Sequence, residues 1–593
     1  MGQNNEKLEN MFNLALDATE GERSRSISLD VGYDRTERAW EVIAKIFGTA
    51  EELRQDIRQQ FRKEAEKIGI TDLSNQYVIM TLPETLVKKM AELERIEYIE
   101  KPKRLFFATE NGRRSSCIEA VQQNRDRNGL ALTGRGVIVA VIDSGIDYAH
   151  PDFRKEDGTT RILLLWDQEL GEVFDSETIN RALEEPDGPL RDQICPSRDL
   201  SGHGTVVAGI AAGNGRASEG RYRGVAVESE LIVVKLGAQK ENSFPRTTEL
   251  MRAVDFCVME AARRKRPVVL NISFGNNYGS HSGTSLLETY LDDMSDFWKT
   301  EIVVGSGNEG NTAMHTAGIL KQGKQEEVEI AVSDYENAMN LQIWKNYVDE
   351  IQIAVVHPNG RSTGTLQERA GAQRFTVGNT ELLIYYGEPS PYNRYQEIYM
   401  DFIPSENYID SGIWKIRILP QKIVTGKYNM WLPSGGVLNT ATGFLRPVEE
   451  TTLTIPSTAS KVLTVGAYDA RYEKAAAFSG RGYTRVTDQI KPDLVAPGVE
   501  ITSCAPGGGY QTRSGTSMAA PFVSGSAALL MQWGIVDGND PYLYGEKIKA
   551  YLIRGAKQLP AGGEFPNPVW GWGVLCVERS LPSKDVLLEV LLR

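Results

Sequence analysis

The sequence predicts an α/β protein with a doubly wound parallel sheet, preceded by a smaller α+β unit and interrupted by an all-β sandwich or jelly roll. Three stretches carry this prediction. Short, nearly all-apolar strands alternate with helices from residue 136 onward, which is typical of a parallel sheet covered on both faces. Residues 311–450 contain strand-like segments only, and residues 39–100 alternate amphipathic strands with charged helices.

Length and composition are those of a large globular protein. The chain has 593 residues, 41% hydrophobic and 24% charged, which argues against a disordered or fibrous protein. Its 66 basic and 79 acidic residues give a formal net charge of −13, so no nucleic-acid partner is expected. The five cysteines, Cys117, Cys195, Cys257, Cys504 and Cys576, are too few and scattered for a disulfide framework and predict reduced thiols.

No targeting or membrane segment is recognisable in the sequence. The stretch from Met1 to Asn10 is polar and lacks the basic and apolar regions of a signal peptide, which predicts synthesis in the cytoplasm. No uninterrupted apolar run reaches the roughly 18 residues of a membrane span, so none is expected.

The α+β unit is assigned from the periodicity of its apolar residues. Its predicted strands are Trp40–Phe47, Tyr77–Leu82 and Glu97–Glu100, and its predicted helices are Glu51–Gly69 and Glu84–Ile96. A polar, Arg-rich segment follows and suits an exposed connection.

The parallel sheet and its insertion follow from the remaining patterns. The predicted sheet strands are Val137–Ile142, Leu231–Leu236, Val268–Ile272, Ile302–Val304 and Val462–Val465. The predicted helices are Thr205–Gly213, Thr247–Arg264 and Ser285–Lys299. The predicted strands of the insertion are Glu327–Val332, Glu350–Val356, Arg374–Val377, Glu381–Tyr386, Glu397–Phe402, Gly412–Leu419 and Tyr428–Leu432. The chain is therefore divided into residues 1–108, 109–310, 311–450 and 451–593.

Asp143 lies in the first of three segments that place a reactive side chain beside glycine. Residues 141–147 read Val-Ile-Asp-Ser-Gly-Ile-Asp, so Asp143 ends a buried strand. Taken alone, an Asp at a strand end is more often a turn or helix-capping residue than a catalytic one.

His203 and Ser517 begin two helices rich in small residues. His203 has glycine on both sides in Ser201–Gly209, although a single His of this kind more often packs structurally than acts as a base. Ser517, in Ser514–Pro521, lies at a helix N-terminus, where the helix dipole favours negative charge. Helix capping is the alternative role for Ser517.

Considered together, the three residues indicate nucleophilic catalysis. A serine nucleophile needs an imidazole to accept its proton and a carboxylate to orient the imidazole. In these segments and in the chain order Asp, His, Ser, the sequence resembles the subtilisin-like serine proteases, or subtilases (peptidase family S8). The resemblance, over roughly residues 130–310 and 450–580, implies a subtilisin-like fold and an endopeptidase with Ser517 as nucleophile, His203 as base and Asp143 as orienting residue.

The resemblance also implies further site residues. Segment 302–310 resembles the family's oxyanion-hole segment, so Asn308 is expected to donate to the oxyanion together with the Ser517 backbone N–H. The expected substrate-binding residues are Ser273, Phe274 and Gly275 on one wall and Gly305, Ser306 and Gly307 on the other.

No cofactor or metal is expected. The segment with Asp147, His150 and Asp152 has a structural role in the family. The calcium loop of many secreted relatives is not recognisable in Asn214–Arg223, so calcium is an unsupported alternative.

The α+β unit resembles the subtilase propeptide, an intramolecular chaperone and inhibitor. The resemblance implies self-cleavage in the region of Phe107, Ala108 and Thr109, and the propeptide is expected to stay bound in the cleft. The expected external partner is a protein or peptide substrate, and no oligomeric state is predicted.

The propeptide and insertion together resemble a narrower group, the Csp germination proteases of clostridial spores. This resemblance implies activation of a cortex-lytic hydrolase zymogen and spore association, or release by a route without a signal peptide. Some members act as signalling pseudoproteases, so a propeptide-bound binding or signalling protein is the alternative function.

Overall fold

The computed structural model describes residues 5–26, 28–103, 114–123, 131–237, 245–369 and 371–582. Its N-terminal unit is an α+β domain. Its helices are α1 (Asn10–Asp17), α2 (Glu20–Arg25), α3 (Ala50–Phe61) and α4 (Val87–Ala91). Its strands are β1 (Tyr33–Asp34), β2 (Ala39–Ile46), β3 (Gly69–Asp72), β4 (Tyr77–Pro83) and β5 (Ile96–Glu100). They form an antiparallel sheet in the order β1-β2-β4-β3, with β5 also paired to β2.

The two predicted helices of this unit are shorter than expected. Helix α3 ends at Phe61 because Arg62 adopts a left-handed conformation, with φ of 48°. A 3₁₀ segment follows and leads into β3, where the prediction placed the end of a long helix. The predicted helix 84–96 is reduced to α4, since Ile96 already pairs with β2.

Two stretches of chain build the central sheet. The first supplies helices α5 (Ile118–Gln123), α6 (Ser176–Glu184), α7 (Pro189–Ile194), α8 (His203–Ala212), α9 (Thr247–Arg263) and α10 (Leu286–Ser295). Its strands are β6 (Ile138–Asp143), β7 (Ile162–Asp167), β8 (Glu172–Asp175), β9 (Glu230–Lys235), β10 (Val268–Ile272) and β11 (Thr300–Gly305).

Ten strands separate these elements from the second stretch. They are β12 (His315–Ile319), β13 (Glu326–Val332), β14 (Met339–Asn346), β15 (Glu350–Val356), β16 (Gln373–Val377), β17 (Thr380–Tyr386), β18 (Tyr395–Pro404), β19 (Gly412–Lys422), β20 (Lys427–Trp431) and β21 (Gly443–Phe444). We call this set the insertion. Its two antiparallel sheets, in the orders β12-β20-β14-β18-β17-β16 and β15-β19-β13-β21, enclose a core of their own. The predicted all-β insertion is confirmed, with β12, β14 and β21 in addition to the predicted strands.

The second stretch completes the central sheet. Its strands are β22 (Leu463–Asp469), β23 (Lys474–Ala475), β24 (Gly482–Tyr483), β25 (Ile490–Lys491), β26 (Leu494–Pro497), β27 (Ile501–Ala505) and β28 (Gly509–Arg513). Its helices are α11 (Thr516–Met531), α12 (Glu546–Gly555) and α13 (Val577–Ser580).

The central sheet is buried on both faces. Its parallel strands follow the order β26-β22-β11-β10-β6-β9-β7, with β8 and β23 antiparallel at the edges. Along β6, Val139 and Val141 belong to the core that contains α8 and α11, whereas Ile138, Ala140 and Ile142 face the core of α9 and α10. This two-sided burial explains the unbroken apolar strands, and the predicted doubly wound fold is confirmed.

The N-terminal unit and the insertion share one hydrophobic core. Phe12 and Trp40, both fully buried, stack edge to face with ring centroids 5.2 Å apart. The same cluster contains Leu383, Tyr385 and Tyr399 of the insertion. We call this cluster the shared core, because apolar side chains of both units are buried in it.

Polar contacts border the shared core. Arg374 of β16 pairs with Glu22 at 2.5 Å, and Asn10 Nδ2 donates to the carbonyl oxygen of Glu388 at 3.0 Å. The interface between the N-terminal unit and the insertion therefore combines apolar burial with an ion pair and a hydrogen bond.

One disulfide corrects the prediction of reduced thiols. Cys117, before α5, is bonded to Cys576, before α13, with a Cα–Cα distance of 4.9 Å. Cys195, Cys257 and Cys504 are free and buried. No local pattern in the sequence indicates this pair, since 459 residues separate its members and only folding brings them together.

Helix α11 and the turn after it, Thr516–Val536, are long and apolar enough to cross a membrane, by length and composition alone. Of the most apolar 18-residue segment within this stretch, 83% is buried inside the protein. A core helix of a globular protein passes the same test.

A buried ionic cluster ends the N-terminal unit. Lys103 Nζ lies 2.6 Å from Glu100 Oε1 and 3.0 Å from Glu9 Oε1, and its side chain is 5% exposed. Burial alone lowers the pKa of Lys103, but the two carboxylates outweigh burial and hold that pKa above its usual value. Removing the ammonium group leaves two carboxylates in a dry site.

We expect Lys103→Met to lower the free energy of unfolding by about 3–5 kcal/mol, because it leaves buried charges without a partner. Lys88→Met is the matched control, since Lys88 is 44% exposed and pairs with Asp17 at 3.3 Å, so about 1 kcal/mol or less is expected. Urea unfolding followed by tryptophan fluorescence measures both changes, and equal effects would contradict the predicted role of the cluster.

Candidate active site

The end of β6 places Asp143 beside His203. Asp143 is fully buried, and His203 begins α8 directly after Gly202, which has a φ of 72°. His203 Nδ1 and Asp143 Oδ1 are 2.7 Å apart. Because a carboxylate can only accept, Nδ1 carries the proton, and Nε2 is the nitrogen that can act as a base.

Glycine at position 204 permits this close approach. A Cβ there would lie 2.1 Å from the carbonyl oxygen of Gly145 and 3.1 Å from Asp143 Cβ. The glycine after the histidine therefore serves the packing of α8 against the end of β6.

Asp199 and Ser144 hold the start of α8, and the sequence analysis did not identify them. Asp199 Oδ2 accepts from the backbone N–H and hydroxyl of Thr205, at 2.8 and 2.7 Å. Ser144 Oγ donates to Asp199 Oδ1 at 2.7 Å and accepts from Gly204 N at 2.9 Å. The sequence signal that could have identified Asp199 is an aspartate shortly before the Gly-His-Gly segment at the start of α8.

Ser517 lies in the first turn of α11 and is 2% exposed. Its Oγ donates to the carbonyl oxygen of Ser273 at 3.3 Å. The ring of Phe274 is 6.4 Å from the His203 ring and lines the same pocket as Ser517. Phe274 therefore lies between the His203–Asp143 pair and the pocket that Ser517 lines.

Asn308 is oriented by the start of α11. Its Oδ1 accepts from the backbone N–H and the hydroxyl of Thr516, each at 3.1 Å. With Oδ1 engaged, Nδ2 is the group available to the pocket that Asn308 and Ser517 both line. An amide donor at this place can stabilise negative charge that develops next to Ser517.

The pocket beside Ser517 contains most of the predicted substrate-binding residues. Ser273, Phe274, Gly275, Gly305 and Gly307 line it. Ser306 does not: its side chain is fully buried, and Oγ lies 3.5 Å from Ser479 Oγ. Alternation along the chain explains the difference, because neighbouring residues in an extended segment point to opposite sides.

Five further residues line this pocket and were missed. They are Glu309, Ser434, Gly436, Thr454 and Thr516. Ser434 and Gly436 come from the insertion, so no local motif could assign them to the site. A Cβ at Gly275 or Gly307 would come within 2.4 Å of the Thr454 side chain, which explains the glycines of both walls.

The predicted self-cleavage region, Phe107, Ala108 and Thr109, lies outside the described residues. The last described residue before it, Lys103, is held on α9, where its backbone N–H donates to Thr247 Oγ1 at 2.9 Å.

Within the described part of the chain, His150, Asp152 and Cys504 could bring three metal ligands together. Their atoms are already hydrogen-bonded: His150 Nδ1 accepts from Asp152 N at 3.1 Å, and Cys504 Sγ donates to Asp152 Oδ2 at 3.3 Å. Burial raises the pKa of the Cys504 thiol well above its usual value, which disfavours a thiolate ligand. The absence of a metal and of calcium remains a prediction.

Comparison with known proteins gives two family matches. The family model "Csp protease B prodomain" matches residues 6–103, and the model "Subtilase family" matches residues 134–395 and 439–573. The solved CspB protease of Clostridium perfringens is similar to this chain, with 40% identity and a TM-score of 0.75. That likeness covers 80% of this chain and 97% of the solved one.

Curated relatives are more distant. The minor extracellular protease Vpr of Bacillus subtilis is 25% identical over 77% of this chain, and the serine protease AprX of the same species is 24% identical over 77%. The chain spans 53% of Vpr and 69% of AprX, and only 27% of the PI-type proteinase of Lactococcus lactis.

We expect Asp143→Asn to slow labelling of Ser517 by a fluorophosphonate probe about 10⁴-fold, because an amide can donate to Nδ1 and shift the imidazole proton to Nε2. Asp147→Asn is the control: among the described residues, the Asp147 carboxylate accepts from the backbone N–H groups of Ala149 and Gly507, so less than about a tenfold change is expected. Labelling rates measured by mass spectrometry test this, and equal rates in wild type and Asp143→Asn would contradict the role of Asp143.

Proposed function

Because this chain belongs to the subtilase family, we propose that it is a serine endopeptidase that hydrolyses protein substrates through an acyl-enzyme and cuts its own propeptide. The observation that carries the proposal is the 2.7 Å contact of His203 with a fully buried Asp143, beside a cleft lined by Ser517.

Each group has a defined part in the proposed reaction. His203 Nε2 takes the hydroxyl proton of Ser517, whose Oγ attacks the scissile carbonyl carbon. Asn308 Nδ2 and the Ser517 backbone N–H stabilise the oxyanion. His203 then gives the proton to the leaving amine, and water hydrolyses the acyl-enzyme by the same path.

The resting position of Ser517 requires one movement. Its Oγ donates to the Ser273 carbonyl oxygen, so the hydroxyl must turn toward His203 when substrate binds. Catalytic hydrogen bonds are commonly long or poorly aligned before substrate arrives.

We expect wild-type protein to be found in two pieces, cut near residue 108, and Ser517→Ala to remain one chain, because the alanine has no nucleophile. Intact-mass spectrometry of both proteins, purified side by side, measures this. Equal cleavage in both would contradict self-processing. If neither is cut, labelling of Ser517 by a fluorophosphonate distinguishes an enzyme from the alternative, a propeptide-bound binding or signalling protein.

We also propose that the propeptide stays bound after the cut. The shared core supports this: Tyr385 of the insertion is fully buried in one cluster with Phe12 and Trp40 of the N-terminal unit. Cleavage after residue 103 breaks none of the contacts described between these units, so their buried apolar area continues to stabilise the complex.

We expect Tyr385→Ala to release the cut propeptide on size-exclusion chromatography, while the wild type retains it. Tyr386→Ala is the matched control, because Tyr386 is equally buried but faces the insertion's own core. Both variants lose about 3–5 kcal/mol of packing, so only the location of the loss differs. Retention in Tyr385→Ala, or release in both variants, would show that the shared core does not hold the propeptide.

The substrate in the cell is a separate proposal. The likeness to the Clostridium perfringens CspB protease supports the hypothesis that the substrate is the zymogen of a spore cortex-lytic hydrolase. The proposed location is the spore. Incubating such a zymogen with wild type and with Ser517→Ala, followed by N-terminal sequencing, tests whether this protein cuts it at one site.

A further inference from the structure

The insertion completes the pocket beside Ser517. Ser434 and Gly436 follow β20 and line the same space as Phe274, Gly305 and Asn308. In the proposed reaction this space receives the side chain of the residue before the cut. A unit outside the central sheet thus contributes to the surface that contacts the substrate.

Glu309 fixes the loop of residues 434–436 to the site. Its carboxylate accepts from the Gly435 backbone N–H at 3.2 and 3.3 Å and from Thr312 Oγ1 at 2.8 Å. Glu309 directly follows Asn308 and is 8% exposed. Its carboxylate is thus engaged in positioning the loop.

The strand before the loop is also held firmly. Trp431, at the end of β20, stacks on His281 with ring centroids 4.1 Å apart and on His315 at 4.8 Å. Burial lowers the pKa of His281 to about 3, so the ring is neutral and stacks without a charge to desolvate. The loop therefore presents its side chains from a rigid base.

The Ser434 hydroxyl has no hydrogen-bond partner among the described residues. The residue is 5% exposed and lines the pocket, yet Oγ makes no hydrogen bond within the described residues. Buried hydroxyl groups are nearly always paired, and leaving one unpaired is costly. A polar group that enters the pocket would satisfy this hydroxyl.

We propose, on the basis of the proposed endopeptidase activity, that Ser434 is a specificity-determining residue whose hydroxyl hydrogen-bonds a polar, uncharged side chain before the cut. The substrate class is a hydroxyl- or amide-bearing side chain, such as Thr or Gln. No described cationic side chain lines the pocket, and its one carboxylate is already engaged by Gly435 and Thr312. Isosteric apolar side chains leave Ser434 Oγ unpaired.

The test compares peptides that differ only in the residue before the cut, as the isosteric pairs Thr/Val and Gln/Met. For self-processed wild type we expect kcat/KM to favour the polar member of each pair by about tenfold or more. We define the ratio of each pair as kcat/KM for the polar peptide divided by kcat/KM for the apolar one. In Ser434→Ala both ratios should fall close to one, because cleavage of the polar peptides is lost. Ser434→Thr should restore both ratios.

Ser333→Ala, in the same insertion but outside the pocket, is the control and should keep both ratios. Gly436→Val is a second variant: a Cβ there meets open space, so the added side chain should narrow the pocket and reduce cleavage after Gln more than after Thr. If the bound propeptide blocks access of the peptides, Thr, Val, Gln or Met is placed instead at the residue before the self-cleavage site, once that site has been mapped. The rate of self-processing is then measured for each of the four variants.

Unchanged ratios in Ser434→Ala, or an apolar preference in wild type, would overturn the proposal. Labelling of Ser517 by a fluorophosphonate is measured in every variant. Normal labelling with unchanged ratios rejects the role of Ser434 alone, whereas absent labelling in wild type rejects the endopeptidase and this proposal with it.

Discussion

The close approach of helix α8 to the end of β6 is the constraint on which the site depends. Gly204 has no side chain, so the backbone of α8 can lie against Gly145. This contact brings His203 within 2.7 Å of Asp143 and surrounds that carboxylate with protein. In a site from which water is excluded, the interaction between carboxylate and imidazole is stronger than in water.

The carboxyl ends of the parallel strands gather the other groups. Asp143 ends β6, Ser273 follows β10, and Gly307 and Asn308 follow β11, while α11 begins at the same edge with Thr516 and Ser517. Parallel strands all point their carboxyl ends to one edge of the sheet, so residues distant in the chain meet there. The hydrogen bonds of Thr516 to Asn308 then connect the helix of the proposed nucleophile to the proposed oxyanion donor.

The insertion connects the other two units. It shares a hydrophobic core with the N-terminal unit through Tyr385 and lines the pocket beside Ser517 through Ser434. One β-sandwich thus contacts both the proposed inhibitor and the proposed substrate site. The disulfide between Cys117 and Cys576 adds a covalent link between the segment after the N-terminal unit and the C-terminal part of the chain.

The fold class and the proposed triad residues can be predicted from the sequence alone, because local residue patterns indicate both. Apolar strands identify a buried parallel sheet, and Asp143, His203, Asn308 and Ser517 each stand in a short glycine-rich segment. The early end of α3, the disulfide, the contacts of Asp199 and the place of Ser434 in the pocket are visible only in the folded structure. These depend on contacts between residues far apart in the chain or on the conformation of one residue such as Arg62, and no local period or motif encodes such contacts.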